Sequence, residues 1–190
     1  MPQTTRTFVA VPVPEKLGAK LAHLQSLLAP DCPDVTWVDP SHFHLTLAFL
    51  GDVDNTDLPA ICRAVAGATA GSAPLDLRLE GLGAFPGPEK PRVFWVGLTG
   101  PDLARLADLQ RGVAAALKGA GYPPDERFHP HVTLGRRKVA KGLSLDARPL
   151  ARHYQKWAAG TMPIAEVVTF SSTLTPSGPL YHPLARAALG

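Results

Sequence analysis

The sequence contains one short pattern twice, His-x-His-x-Thr-Leu, beginning at His42 and again 87 residues later at His129. In a β-strand, alternate side chains point to the same face. Each copy therefore places histidine and threonine side chains together, with its apolar residues on the opposite face. Two such strands in a chain with only seven histidines predict two matched halves that face one shared site.

The second histidine of each copy, His44 or His131, is the predicted proton-transfer group. An imidazole has a pKa of about 6.5, so a neutral ring and a protonated ring can coexist near neutrality. The neutral ring can accept a proton from an attacking hydroxyl or water while the other donates one to a leaving oxygen. Each such proton transfer typically increases the reaction rate by about 10²–10⁴-fold. Such a pair suits in-line displacement at phosphorus, and we expect the hydroxyls of Thr46 and Thr133 to bind the phosphate oxygens.

Two further residues near the second copy are candidates for the same site. Arg136 follows Thr133 by three residues and could stabilise the charge of a phosphate in the transition state. Strict alternation points Arg136 away from His131, so we predict a β-bulge at Gly135 that redirects it. Phe128 precedes the motif and is the candidate for stacking on a nucleobase.

A metal site is the main alternative, since histidine is the commonest metal ligand. The candidate ligands would be His42, His44, His129 and His131. This spacing is not a recognised zinc pattern, and the candidate carboxylates, Asp52 and Asp125, belong to neither motif. We therefore expect neither a metal nor another cofactor, and we interpret His42 and His129 as neighbours of the site.

Composition limits the class of protein only broadly. The net charge of +3 and the pI of about 9.0 are compatible with a phosphate-bearing ligand but do not require nucleic acid. The two cysteines, Cys32 and Cys62, form no C-x-x-C pattern, which favours a reduced, cytoplasmic location. The sequence shows neither a signal peptide nor an apolar run of about 20 residues, so we expect no membrane association.

Hydrophobic patterning predicts an α+β protein. We expect strands at 7–13, 36–38, 42–50, 75–82, 92–98, 129–136, 164–174 and 178–184. We expect helices at 15–28, after a cap at Asn55 or Thr56, at 102–117 and at 144–154, and a loop at 81–91. The recurrence of the motif strands predicts a pseudo-symmetric, two-lobed body with helices outside, and residues 1–190 are predicted to form one domain.

These residues resemble the signature of the two-histidine (2H) phosphoesterases. His44-Leu45-Thr46-Leu47 and His131-Val132-Thr133-Leu134 are similar to the family's two His-x-Thr-x motifs. The likeness extends to the flanking blocks at 6–10, 37–51, 91–97 and 128–136, and so to nearly the whole chain. Within the superfamily, the chain most resembles the RNA 2′,3′-cyclic phosphodiesterases, also called 2′-5′ RNA ligases.

The resemblance implies two antiparallel sheets lining a central cleft. It also implies metal- and ATP-independent hydrolysis of RNA 2′,3′-cyclic phosphate ends to 2′-phosphate. His44 would then be the proton donor to the leaving 3′ oxygen, and His131 the base that activates water. Thr46 and Thr133 would hold the phosphate with the help of Arg136. Some members also join RNA ends through 2′-5′ linkages.

The expected partners are RNA ends or cyclic-phosphate nucleotides, acted on by a monomer. Two alternatives stay open at this point. The same catalytic groups could act on small cyclic nucleotides or on 2′-5′ oligonucleotides, or could trim RNA 3′ ends as an exonuclease. The protein could also bind nucleotides or RNA ends without turnover, although two complete motifs argue against that.

Overall fold

A computed structural model describes residues 3–124, 127–138, 145–176 and 178–190. The helices are α1 (Glu15–Leu28), α2 (Leu58–Thr69), α3 (Leu103–Gly119) and α4 (Arg148–His153). The strands are β1 (Thr4–Pro12), β2 (Val35–Trp37), β3 (His44–Asp54), β4 (Leu75–Phe85), β5 (Val93–Thr99), β6 (His131–Arg137), β7 (Ala158–Ile164), β8 (Glu166–Thr175) and β9 (Gly178–Ala188). None of the helices in these ranges is long and apolar enough to cross a membrane.

The strands form a continuous antiparallel sheet in the order β7-β4-β5-β6-β3-β1-β8-β9, with β2 also paired to β6. The predicted α+β class is confirmed, but the two predicted sheets are joined. Their link is the pairing of Leu45 in β3 with Val132 in β6. We call the strands β3, β1, β8 and β9 the His44 arm, and the strands β6, β5, β4 and β7 the His131 arm. Each arm thus starts at the centre of the sheet with a motif strand.

The helices pack through the apolar stripes that the sequence predicts. In α1 the fully buried stripe includes Leu21, Leu24 and Leu28, and in α3 it includes Leu106 and Leu117. Complete burial of a leucine side chain contributes about 1.5–3 kcal/mol, so these contacts anchor the helices on the sheet. The motif strands therefore lie on a packed support.

Two strands differ from the sequence prediction. β4 continues to Phe85 through the segment predicted as a loop, because it pairs with β5 as far as Val93. β7 was not predicted, since Ala, Gly and Pro dominate its sequence. It forms because β4 supplies a long pairing edge, from Leu75 opposite Ile164 to Glu80 opposite Ala158.

The ends of three elements also differ from the sequence prediction. His42 lies in a short 3₁₀ turn, Pro40–His42, and not in the motif strand. Neither Asn55 nor Thr56 caps α2, which begins after Asp57. The helix predicted at 144–154 is shorter, with its bounds at Arg148–His153, and position 144 lies outside the described residues.

Candidate active site

The two motif strands bring their polar residues together at the centre of the sheet. Leu45 and Val132 form an antiparallel pair, so the adjacent register sets His44 across from Thr133 and Thr46 across from His131. All four of these polar side chains line one cleft of about 610 Å³. The buried faces of both strands point the other way, with Leu45 and Val132 fully buried. The structure therefore brings together the four residues whose motif spacing predicted a shared site.

Each motif histidine is held by the backbone two residues before it. Nδ1 of His44 lies 2.7 Å from the carbonyl oxygen of His42, and Nδ1 of His131 lies 2.6 Å from that of His129. A carbonyl oxygen can only accept, so Nδ1 carries the hydrogen in both rings. Nε2 is then the atom of each ring that can exchange a proton with a ligand. His42 and His129 contribute their backbone carbonyls to this arrangement.

Burial lowers the pKa of both imidazoles below the usual value, because a charged ring loses hydration. The nearby Arg136 guanidinium lowers both further, whereas the hydrogen bonds to the backbone carbonyls raise them. Both rings are thus mainly neutral at pH 7 in the unliganded cleft. A bound phosphate anion acts in the opposite direction and favours a protonated ring.

Both motif strands contain a β-bulge at the motif leucine. In β3, Val9 pairs with Ala48 whereas the next residue, Ala10, pairs with Thr46, so Leu47 is skipped. In β6, Phe94 pairs with Gly135 and Trp95 with Thr133, so Leu134 is skipped. An inserted residue changes the face to which the following side chains point.

The bulges explain how two further side chains enter the cleft. Phe49 follows the bulge in β3 and Arg136 follows the bulge in β6, and both line the cleft beside the histidines. The predicted bulge before Arg136 therefore exists, but the skipped residue is Leu134. Gly135 is required for another reason: a Cβ there would come within 2.6 Å of Val35.

Two buried glutamines bind the carbonyls of the bulged leucines. The Gln110 side chain of α3 donates from Nε2 to the Leu47 carbonyl at 3.2 Å. The Gln25 side chain of α1 donates to the Leu134 carbonyl and to the Val38 carbonyl, both at 2.8 Å. The Leu134 carbonyl also accepts from the Val38 backbone N–H at 2.8 Å, so Gln25 is its second donor. Buried carbonyls need hydrogen-bond donors, and each glutamine therefore stabilises the irregular backbone at its bulge.

The aromatic surroundings of the two histidines differ. The His44 ring lies near Phe8 and Tyr181, with ring centroids 5.0 and 5.5 Å away, and both neighbours line the cleft. The His131 ring lies 5.1 Å from Phe85 and 6.1 Å from Trp95, neither of which lines it. The side chain of Trp95 occupies the space where a Cβ on Gly83 would lie.

Sequence reasoning missed several residues that line the cleft, among them Arg6, Phe49 and Tyr181. A signal existed for Phe49, because it precedes Arg136 by the same 87 residues that separate the motifs. Phe128 packs against the hydrophobic core and is not among the residues that line the cleft. Its stacking role stays a prediction.

The four histidines of the alternative metal site do not form a ligand cluster. Within the described ranges, no group of three or more His, Cys, Asp or Glu side chains is arranged to hold a metal ion. Asp125, one of the two candidate carboxylates, lies outside these ranges.

The fold and the site together define a class of protein. Two imidazoles with free Nε2 atoms, two threonines and two arginines converge on one cleft between pseudo-symmetric arms, the arrangement of a two-histidine phosphoesterase. The family model "LigT like Phosphoesterase" matches the chain twice, at residues 11–95 and 97–181. The chain belongs to the LigT-like phosphoesterase family, and each arm's motif strand lies in a separate repeat.

Individual relatives agree with this assignment. The chain is 34% identical over 176 residues to the RNA 2′,3′-cyclic phosphodiesterase of Methanothermobacter thermautotrophicus, covering 93% of this chain and 94% of the relative. The crystal structure of TT0787 from Thermus thermophilus has a TM-score of 0.79 at 29% identity and covers 97% of both chains. LigT from E. coli, crystallised with 3′-AMP, has a TM-score of 0.77 at 23% identity over 98% of this chain and 99% of its own. That last likeness bears on the fold alone.

Proposed function

We propose that the protein hydrolyses 2′,3′-cyclic phosphate at RNA ends to a 2′-phosphate. The observation that carries the proposal is the presence of two motif histidines, each with a free Nε2, in one cleft beside Thr46 and Thr133. The name and 34% identity of the Methanothermobacter relative support the same substrate. Residues 1–190 act here as one two-lobed domain, because the site takes side chains from both arms.

In the proposed reaction, His131 accepts a proton from water through Nε2 while the water oxygen attacks phosphorus. The bond from phosphorus to the 3′ oxygen breaks, and His44 donates its Nε2 proton to that oxygen. The products are a 2′-phosphate and a free 3′-hydroxyl. Thr46, Thr133 and Arg136 hold the non-bridging oxygens, where negative charge increases in the transition state.

The assignment of His44 as acid is supported by an asymmetry in the cleft. In an in-line displacement, the leaving oxygen lies on the side opposite the attacking water. That oxygen belongs to the ribose, so the nucleoside lies on the side of the acid. Five apolar or aromatic side chains of the His44 arm line the cleft: Phe8, Phe49, Leu174, Pro179 and Tyr181. The His131 arm supplies His131, Thr133 and Arg136, which are all polar.

The proposed reaction uses neither a metal nor ATP, because the two imidazoles supply the base and the acid. Joining of RNA ends through a 2′-5′ linkage would be the same displacement with a 5′-hydroxyl in place of water: its oxygen bonds to phosphorus, and the 3′ oxygen leaves with the proton from His44. The proposed setting is a monomer acting on RNA ends in the cytoplasm.

The test is incubation with an RNA oligonucleotide that ends in 2′,3′-cyclic phosphate, with and without excess EDTA. We expect a 2′-phosphate product at equal rates in both conditions, identified by chromatography against 2′- and 3′-phosphate standards. A 3′-phosphate product would contradict the assignment of the leaving oxygen. Loss of activity in EDTA that zinc or manganese restores would contradict the metal-free mechanism.

A second candidate substrate is a small cyclic nucleotide. The cleft volume of about 610 Å³ lies within the range of about 300–1,000 Å³ that is typical for small organic ligands. The E. coli LigT crystal with 3′-AMP shows that a protein of this fold accepts a mononucleotide. Comparing kcat/KM for a mononucleoside 2′,3′-cyclic phosphate and for the RNA oligonucleotide decides between the two substrates.

A further inference from the structure

The β8–β9 hairpin brings the side chain of Tyr181 to the centre of the cleft. Tyr181 lies in β9, three strands away from His44 in β3, which corresponds to about 14 Å across a flat sheet. Its ring centroid nevertheless lies only 5.5 Å from that of His44, and the side chain lines the cleft. The His44 arm therefore curves over the cleft, so that its last strand contributes a group beside a motif histidine.

Aromatic neighbours hold the Tyr181 ring in place. Its centroid lies 4.8 Å from that of His42 and 5.0 Å from that of Phe8, and the plane of the His44 ring is perpendicular to it. Tilted and edge-to-face pairs of this kind are favourable. These three contacts fix the ring, and a fixed ring gives the hydroxyl at its end a defined position.

The fold does not use the hydroxyl of Tyr181. Among the described residues, no group forms a hydrogen bond with it. Tyr122 gives the contrast, because its hydroxyl donates to Asp57 at 2.7 Å and accepts from the backbone N–H of Asp54 at 3.3 Å. Tyrosine hydroxyls usually find a hydrogen-bond partner when they are buried. The half-buried hydroxyl of Tyr181 is therefore available to a ligand that enters the cleft.

The surroundings keep this hydroxyl protonated and give it a positive environment. Burial raises the pKa of the Tyr181 phenol above its usual value, and the positive charges of Arg136 and Arg6 offset that increase only in part. The phenol therefore keeps its hydrogen at neutral pH and can act as a donor. Because two guanidinium groups lie near it, an anion is the ligand that this position favours.

We propose that the Tyr181 hydroxyl donates a hydrogen bond to a non-bridging oxygen of the cyclic phosphate. Negative charge increases on that oxygen in the transition state, so Tyr181 would be a catalytic residue beside the motif threonines and Arg136. This inference rests on the proposed function and adds a phosphate ligand from the edge strand of the His44 arm. The proton transfers stay with the two imidazoles, and the contribution of Tyr181 is the hydrogen bond alone.

Tyr181→Phe tests the hydroxyl, because it removes one oxygen and keeps the ring beside His44. We expect kcat for adenosine 2′,3′-cyclic phosphate to fall by about 10- to 150-fold, the effect of one lost hydrogen bond to a charged group. Tyr122→Phe is the matched control, since it also removes one phenol oxygen; it should lower the melting temperature and leave kcat unchanged. Equal losses of kcat in both variants, or wild-type kcat in Tyr181→Phe, would overturn the proposal.

The two diastereomers of adenosine 2′,3′-cyclic phosphorothioate identify the contacted atom. Each replaces one of the two non-bridging oxygens with sulfur, which is a weak hydrogen-bond acceptor. Compared with wild type, Tyr181→Phe should lose as much rate on one diastereomer as on the oxygen substrate, and little rate on the other. Equal losses on both diastereomers would show that the hydroxyl does not contact a non-bridging oxygen, and would contradict the proposal.

Tyr181→Leu separates the hydroxyl from the ring. This substitution also removes the aromatic contact with His44, so it should lower kcat at least as much as Tyr181→Phe does. Impaired kcat in Tyr181→Leu together with normal kcat in Tyr181→Phe would show that only the ring matters. That result would refute the proposed hydrogen bond.

A binding measurement separates failure of this inference from failure of the proposed function. If the wild-type protein hydrolyses no cyclic phosphate, the proposed function fails, and calorimetric titration with adenosine 2′-monophosphate tests the Tyr181 contact alone. Weaker binding to Tyr181→Phe than to wild type and to Tyr122→Phe would support a hydrogen bond to phosphate. Equal binding to all three proteins would overturn it.

Discussion

The His44 arm and the His131 arm share a His-x-Thr pair, a bulge at the following leucine and a glutamine that binds the bulged carbonyl. They differ in the side chain that the bulge turns into the cleft, which is Phe49 in one arm and Arg136 in the other. The two arms of this duplicated scaffold therefore present chemically different side chains to the cleft. Under the proposed function, the His44 arm receives the nucleoside and Arg136 of the other arm binds the phosphate.

The glutamines also show that the two repeats are interdependent. Gln25 lies in the first repeat and binds Leu134 of the second, whereas Gln110 lies in the second repeat and binds Leu47 of the first. Each motif strand is therefore held by a helix from the other repeat. Substitutions at matched positions of the two arms can therefore show which arm affects kcat, which affects KM, and which effects both arms have in common.

The largest expected effect is the loss of kcat when either motif histidine is removed, and it should be similar in both arms. His44→Ala and His131→Ala should each lower kcat for the cyclic phosphate substrate by about 10²–10⁴-fold, because each removes one proton transfer. Circular dichroism should show an intact fold, and His23→Ala, at an exposed position of α1, is the control. Activity close to wild type in either motif variant would exclude paired-histidine catalysis.

The next effect separates the arms. Arg136→Met should lower kcat by about 10²–10³-fold, since it removes a cation from the charge that develops on the phosphate. Arg6→Met in the other arm should act mainly on KM, because Arg6 supports the Phe49 ring. Steady-state kinetics with Arg63→Met, an exposed arginine on α2, as the control measures this split. If Arg136→Met and Arg6→Met both change kcat, or both change KM, the two arms do not bind separate parts of the substrate.

The glutamines should give smaller effects of the same kind. Gln110→Met removes the side-chain donor of the Leu47 carbonyl, and Gln25→Met removes the side-chain donor shared by the Leu134 and Val38 carbonyls. We expect each substitution to cost about 1–3 kcal/mol in the free energy of unfolding. Gln25→Met should mainly lower kcat through Arg136, and Gln110→Met should mainly raise KM through Phe49. Urea unfolding and kinetics measure both, with the exposed Gln155→Met as the control. Identical kinetic changes in the two variants would show that the glutamines support only stability.

The smallest effect is a shift in pH dependence. Burial and Arg136 lower the pKa of both motif histidines in the free protein. The plot of kcat/KM against pH should therefore be bell-shaped, with its optimum below about pH 6.5. Its two apparent pKa values belong to the coupled pair of histidines.

Substrate binding should shift that profile in one direction. Bound phosphate raises the pKa of the protonated His44, so the alkaline limb of kcat should lie at higher pH than that of kcat/KM. Parallel measurement of kcat and kcat/KM from pH 5 to pH 9 tests both expectations. A single rise with pH, or identical alkaline limbs, would contradict them.

Local patterns in the sequence predicted the parts of the site that belong to one strand. Alternation within each motif was enough to pair His44 with Thr46 and His131 with Thr133, and helical spacing predicted α1 and α3. The family resemblance added the roles of the two histidines, which remain proposals. The motif pairs and the two helices depend on residues that are close in sequence, so a local pattern is enough to predict them.

Features that depend on pairing between distant strands could not be predicted in the same way. β7 has weak strand propensity and exists because β4 pairs with it from Leu75 to Glu80. Tyr181 reaches the cleft only through the order β3-β1-β8-β9, which no local pattern specifies. Strict alternation along β3 would place Phe49 on the core face with Leu45 and Leu47, but the register shift at Leu47 turns it to the cleft.

The central claim is that the leaving oxygen and the nucleoside lie on the His44 arm, with water on the side of His131. The most direct measurement uses a substrate in which sulfur replaces the 3′ oxygen of the cyclic phosphate, because a thiolate leaves without needing a proton. On this substrate, relative to wild type, His44→Ala should recover most of its lost rate while His131→Ala stays impaired. Recovery by His131→Ala instead, or by neither variant, would contradict the account.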